Sequence, residues 1–167
     1  MGMNLFTSRR LELNFAESSV RNADSGPTPH GFLAVPATIV QGSFFVTDVI
    51  IDGVKAKAMI DTGARRTFGN SLLRTALGFG DNDPRLSIAQ PLGGATTDTT
   101  KAVKAQLGSL TLGGQRFEHP VLTFSDAPVL GPLGLSDGPA IVIGLDLLKS
   151  LKAVAIDYPR AELQLKP

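Results

Sequence analysis

The chain has no cysteine, which excludes disulfides, thiol nucleophiles and cysteine-ligated zinc. That absence fits a reducing or an oxidising compartment equally. There is also no run of Lys or Arg. Sixteen basic residues stand against fifteen acidic ones, a formal net charge of +1, so charge indicates neither nucleic acid nor a membrane surface as a partner. No apolar stretch is long enough to span a bilayer, and the first residues lack the apolar core of a secretory signal. Histidine is scarce. His30 and His119 lie far apart, and no neighbouring residues complete a metal-ligand pattern, so both read as loop or surface residues. Neither a metal nor another cofactor is expected.

Glycine and proline, by contrast, are plentiful. Eighteen Gly and eleven Pro divide short apolar runs in 167 residues that are 43% hydrophobic, the rhythm of a single all-β domain with one sizeable core. The clearest hairpin spans 42–60. Phe44 to Ile50 is an apolar strand, Asp52-Gly53 supplies the positive-φ residues of a tight turn, and the return from Val54 to Ile60 alternates with period two. A short helix is expected from Asn70 to Leu77, capped by Asn70 or Ser71 and ended by Gly78, with Leu72, Leu73, Ala76 and Leu77 as its apolar face. Hairpins follow over 86–103, tipped by Pro91-Leu92-Gly93-Gly94, and over 103–124, turning at Gly113-Gly114. The Gly/Pro-rich stretch 127–139 reads as a loop. Ile141-Val142-Ile143 is a buried strand, Asp146 to Lys152 a short helix, and 154–158 and 162–165 are closing strands.

One internal repeat is present. Gly2-Met3-Asn4-Leu5-Phe6-Thr7-Ser8 aligns with Gly144-Leu145-Asp146-Leu147-Leu148-Lys149-Ser150. After a one-residue slip, Leu11-Glu12-Leu13-Asn14-Phe15 aligns with Val154-Ala155-Ile156-Asp157-Tyr158, and Val20 falls opposite Leu163. Residues 1–21 therefore resemble the end of the unit that closes the chain. We expect 1–21 to be the remnant of a preceding unit, the Pro-containing stretch 22–36 a linker, and 37–167 the domain proper.

The segment that can carry chemistry is Ala58-Met59-Ile60-Asp61-Thr62-Gly63-Ala64. Peptide hydrolysis by carboxylates needs two of them facing each other across a water. Like charges at that distance share one proton. The ionised member takes a proton from the water, which attacks the peptide carbonyl, and the other donates to the carbonyl oxygen. Each carboxylate must sit on a tight turn ending a buried strand, with a Gly that permits close backbone approach and a Thr hydroxyl that can bond across the seam. Here an alternating strand ends at Asp61, and Thr62 and Gly63 follow. Asp-Thr-Gly alone is a weak signal. Its context adds weight: a short helix comes next, a Gly-bearing hairpin lies about 30 residues on, and Ile141-Val142-Ile143-Gly144 leads into a second helix.

This order resembles the retropepsin-like aspartic peptidases, especially the bacterial exported type, over about residues 40–166. The resemblance implies a single retropepsin-like β-barrel or sandwich, an acid-protease half, with short helices after Asn70 and Asp146. It implies a catalytic role for Asp61 with Thr62 and Gly63, and the seam-locking hydroxyl for Thr62. Gly93 and Gly94 would belong to a flap, Ile143 and Gly144 to a strand supporting the turn, and Ala64, Arg65 and Arg66 would lie beside a bound peptide. It further implies a polypeptide substrate, a second carboxylate from a homodimer or a preceding tandem unit, and an exported or periplasmic setting. A catalytically silent peptide-binding or dimerisation module is the competing reading. Gly134-Leu135-Ser136-Asp137-Gly138 matches a nucleophile elbow only by letters, since no strand leads into it and both histidines precede it. Asp81-Asn82-Asp83 lacks the later ligands of a calcium loop and reads as a turn.

Viral members of the family often carry acidic residues where this chain has Arg65-Arg66. A substrate profile is expected to show preference for acidic or polar side chains near the cleaved bond, weakened in Arg65→Ala or Arg66→Ala. An unchanged profile in both variants removes that role.

Overall fold

The computed structural model describes residues 8–89 and 102–167. The expected flap glycines, Gly93 and Gly94, and residues 1–7, which hold the first six positions of the repeat, lie outside them. The regular structure of the described residues is almost entirely strand, arranged as two sheets. The smaller has five strands: β1 (Arg10–Asn14), β2 (Ser19–Ala23), β3 (Leu33–Pro36), β14 (Ala153–Asp157) and β15 (Glu162–Lys166). Their order is β2-β1-β14-β15-β3, every pair antiparallel.

The larger sheet holds β4 (Thr38–Val40), β5 (Phe44–Ile51), β6 (Val54–Ile60), β7 (Phe68–Gly69), β8 (Ser87–Ile88), β9 (Val103–Gln106), β10 (Ser109–Leu112), β11 (Gln115–Glu118), β12 (Val121–Phe124) and β13 (Ala140–Ile143). It runs β11-β10-β5-β6-β13-β7-β12-β9-β8, with β4 beside β5. Among the described residues this is an open path rather than a closed barrel. Among the described residues the α-helices are α1 (Ser71–Ala76) and α2 (Leu145–Leu148).

The longest hairpin forms where the sequence places it. Asp52 (φ 46°) and Gly53 (φ 85°) make the two-residue turn between β5 and β6, both left-handed as that turn demands. The Asp52 carboxylate then accepts from the Gly108 and Ser109 amides at 2.9 and 2.6 Å, pinning β10 beside the turn. The expected 103–124 hairpin is divided. The outward run breaks at Leu107-Gly108 and the return at His119-Pro120, where His119 adopts φ 51°. β10 and β11 consequently join β5, while β9 and β12 join β7.

Both sheets bury their apolar faces in one cluster. Leu11, Val154, Ile156 and Leu163 enter from the smaller sheet, and Phe45, Ile51, Leu110 and Ile143 from the larger. Phe45 meets Tyr158 edge-on at 4.9 Å between ring centres, a favoured aromatic geometry. The stretch 127–139 is a loop but not an idle one. A single 3-10 turn at Pro128–Leu130 starts it, and Leu130, Leu133 and Leu135 form a second cluster with Met59, Phe68 and Val142. Helix α1 buries less than its letters suggest. Leu73 is fully buried, whereas Leu72 and Ala76 are exposed, because six residues present only one turn to the core. Helix α2 likewise stops after four residues. Asp81-Asn82-Asp83 is a turn, and the hydrogen bonds from Arg85 hold the Asp83 carboxyl down at about 2.

Leu163 is fully buried and Val20, its counterpart in the repeat, is 66% exposed. Leu163→Ala should cost about 2–5 kcal/mol of stability by urea denaturation, and Val20→Ala under about 0.5 kcal/mol. Equal costs would show that the exposure difference carries no energetic weight.

Candidate active site

The Asp61 turn is positioned by two parallel strands. β6 and β13 pair side by side, with Ile60 opposite Ile143 and both buried. A continuous apolar run is what a strand covered on both faces requires, and Ala140–Ile143 is buried at every position. Both strands leave the sheet at the same end. One last rung, from the Asp61 amide to the Ile143 carbonyl at 3.0 Å, fixes where Asp61 departs.

The turn then closes on its own side chain. Asp61 Oδ1 accepts from the Gly63 amide at 2.8 Å and the Ala64 amide at 3.2 Å. The Ala64 amide also lies 3.2 Å from the Asp61 carbonyl. Asp61 is therefore oriented by backbone donors through one oxygen, and Oδ2 accepts no bond within the described chain. Asp61 and Thr62 are partly exposed and Gly63 is exposed, so the turn faces outward. Thr62 Oγ1 bonds to nothing among the described residues.

Behind the turn lies a second layer. The Leu145 amide donates to the Ala64 carbonyl at 2.8 Å. Gly144 packs so closely that an added Cβ would stand 2.8 Å from the Arg66 carbonyl carbon and oxygen and 2.9 Å from the Ala64 oxygen. No side chain fits at Gly144 without a shift of that backbone. Thr67, 4% exposed, ties the two sides together. Its hydroxyl accepts from the Gly144 amide at 3.0 Å and donates to Asp146 Oδ1 at 2.6 Å, while its amide donates to Asp146 Oδ2 at 2.9 Å. Asp146 Oδ1 also accepts from the Leu147 amide at 2.8 Å. Asn70 adds a third tie. Its Oδ1 accepts from the Leu73 and Ala140 amides at 2.8 and 3.1 Å, and its Nδ2 donates to the Gly138 carbonyl at 2.8 Å.

Of the residues expected at the site, Asp61, Thr62, Gly63, Ala64, Ile143 and Gly144 come together. Arg65 and Arg66 follow on the exposed side of the turn and form no ion pair among the described residues. The hairpin that should carry the flap is present at its base. β8 pairs antiparallel with β9, and the Ala89 amide donates to the Ala102 carbonyl at 2.8 Å. Sequence reading gave Asp146 and Asn70 only as helix landmarks and missed their bonds to Thr67 and to Ala140. A buried Thr and a helix-opening Asp carry no mark of pairing when 79 positions separate them.

These features together, a carboxylate turn ending one of two parallel buried strands with a glycine strand packed behind it, define the retropepsin-like aspartic protease class. The chain belongs to the aspartyl protease family, whose model, described as "Aspartyl protease", matches residues 47–147. Among solved structures, the crystal structure of a retropepsin-like aspartic protease from Rickettsia conorii has the same fold, at TM-score 0.56 and 23% identity. The alignment covers 84% of this chain and 94% of that one. The retroviral protease-like domain of Ddi1 from Leishmania major aligns at TM-score 0.46 and 14% identity, over 78% of this chain and 96% of that one. No curated protein matches the sequence.

Thr67→Val keeps the shape of the side chain but leaves the buried Gly144 amide without its acceptor. It should lower stability by about 1–3 kcal/mol in chemical denaturation, with Thr67→Ser close to wild type. Equal losses in both variants would assign the effect to packing instead.

Proposed function

We propose that the chain is one lobe of an aspartic endopeptidase, in which Asp61 and a second carboxylate on a facing lobe activate a water for attack on a peptide bond. The observation that carries this reading is the state of Asp61. One oxygen is fixed by two backbone amides and the other accepts no bond among the described residues, on an outward turn whose position is set by buried strands. Pre-oriented carboxylates of this kind are what general acid–base attack needs. Family membership supports peptide chemistry, and the fold supports a two-lobed arrangement. One chain carries one Asp-Thr-Gly, so the second carboxylate comes from a second copy or from a homologous unit in the same polypeptide.

In this reading the ionised carboxylate takes the proton of the water, and the protonated one donates to the carbonyl oxygen as the tetrahedral centre forms. Thr62 holds the two turns in register through its hydroxyl. Arg65 and Arg66 meet acidic or polar substrate side chains. A silent peptide-binding module is the second reading, and the intact Asp61-Thr62-Gly63 turn weighs against it, because binding alone has no need of that carboxylate.

Asp61→Asn separates the two. Hydrolysis of a denatured protein mixture between pH 4 and 8 is expected to fall to background in the variant, with peptide binding retained. Since a shared proton is required, activity should vanish by pH 9. Cleavage that persists in Asp61→Asn or at pH 9 would rule out the carboxylate mechanism.

A further inference from the structure

The smaller sheet contains a local two-fold axis. β1 and β14, aligned with each other in sequence, are also paired with each other, and at their centre Glu12 faces Ala155, its own counterpart. On either side the pairs exchange: Leu11 faces Ile156 and Leu13 faces Val154. The hairpins that flank them agree in register. Leu13 faces Val20 in one, and Ile156 faces Leu163 in the other.

The agreement reaches the turns. Asn14 Oδ1 accepts from the Glu17 amide at 3.0 Å, and Asp157 Oδ1 from the Arg160 amide at 3.2 Å. Ser18 (φ 51°) and its counterpart Ala161 (φ 48°) are both left-handed, an uncommon state for residues other than glycine. The Phe15 amide donates to the Lys152 carbonyl, and the Tyr158 amide to the Arg9 carbonyl, each bond the image of the other. Chance similarity of two short segments would not reproduce register, turn conformation and cross-strand bonds together.

The symmetry then stops. β15 is flanked by β3, with Leu163 facing Val35, whereas β2 has no second neighbour among the described residues. Leu163 is fully buried and Val20 is 66% exposed. A strand beside β2, placed as β3 is placed beside β15, would complete the two-fold pattern.

We infer that β1–β2 is the closing hairpin of a second retropepsin-like lobe, carried ahead of this one in the same polypeptide, and that this lobe covers Val20 and adds a strand to the free edge of β2. A second copy of this chain is not the occupant. To pair about this axis it would have to bring its own β14–β15 into the place that β1–β2 already fills. The inference rests on the proposed function only in taking the preceding lobe as the source of the second carboxylate. The placement itself comes from the sheet.

The test reads association rather than cleavage. In a homodimer about this axis two β14 strands would meet at Ala155, so Ala155→Cys alone would form an interchain disulfide under oxidation. We expect Ala155→Cys to stay monomeric, and Glu12→Cys with Ala155→Cys to form an intrachain disulfide, each with wild-type circular dichroism as evidence of folding. A covalent Ala155→Cys dimer, or a stable dimer of the unmodified 1–167 chain about the same strands, overturns the inference. In the natural polypeptide, alternate amides of β2 should exchange hydrogen at least a hundredfold more slowly than in the 1–167 chain. Equal exchange in the two, or a natural polypeptide with no homologous lobe ahead of Arg10, also overturns it. Loss of hydrolysis in the natural polypeptide with β2 still protected would count against the proposed function alone.

Discussion

The contact on which the site depends is the close approach of two main chains where β6 and β13 leave the sheet. The Asp61 amide bonds to the Ile143 carbonyl, the Leu145 amide to the Ala64 carbonyl, and Gly144 fills the space between with no side chain of its own. Backbone is the least adjustable part of a protein, because its bond lengths and planar peptides leave only two soft angles per residue. The frame fixes where Asp61 leaves the sheet, and the Gly63 and Ala64 amides fix how its carboxylate is turned. The buried run 140–143 is the foundation of this frame, since any movement of β13 would carry Gly144 with it.

The polar network behind the turn works in the same direction. Thr67, Asp146 and Asn70 are bonded to amides and carbonyls that would otherwise be buried without partners. Each joins segments far apart in sequence, and together they fasten α1, α2 and the 127–139 loop to the two central strands. No disulfide fastens this arrangement, since the chain has no cysteine. That agrees with a core in which Leu148, Ile141 and Ile143 are fully enclosed.

Much of this was legible beforehand, because the informative signals are local. The Asp52-Gly53 turn, the Asn70 cap, the Gly113-Gly114 turn and the alternation leading into Asp61 are each encoded within a few residues. The sequence could not tell how much of α1 would be buried, since Leu72 and Leu73 look alike as letters and differ only in what packs on them. Nor could it divide the 103–124 hairpin. That break follows from Asp52 reaching across to Gly108 and Ser109, more than fifty positions away. The order of strands in the smaller sheet was equally out of reach. The repeat relates 11–15 to 154–158, but resemblance in sequence does not imply adjacency in space.

The burial of β14 has a practical side. All five of its residues, Ala153–Asp157, are buried, and one of its two edges is sealed by β1. Proteins usually defend an open sheet edge with charge, proline or a bulge. This strand has only Asp157, already engaged by Ser25 and Gly26. A fragment trimmed to begin at residue 22, where the expected linker starts, would thus uncover a bare apolar ribbon with unpaired amides and carbonyls. The hairpin that covers this apolar edge is the one that boundaries drawn from the sequence would discard.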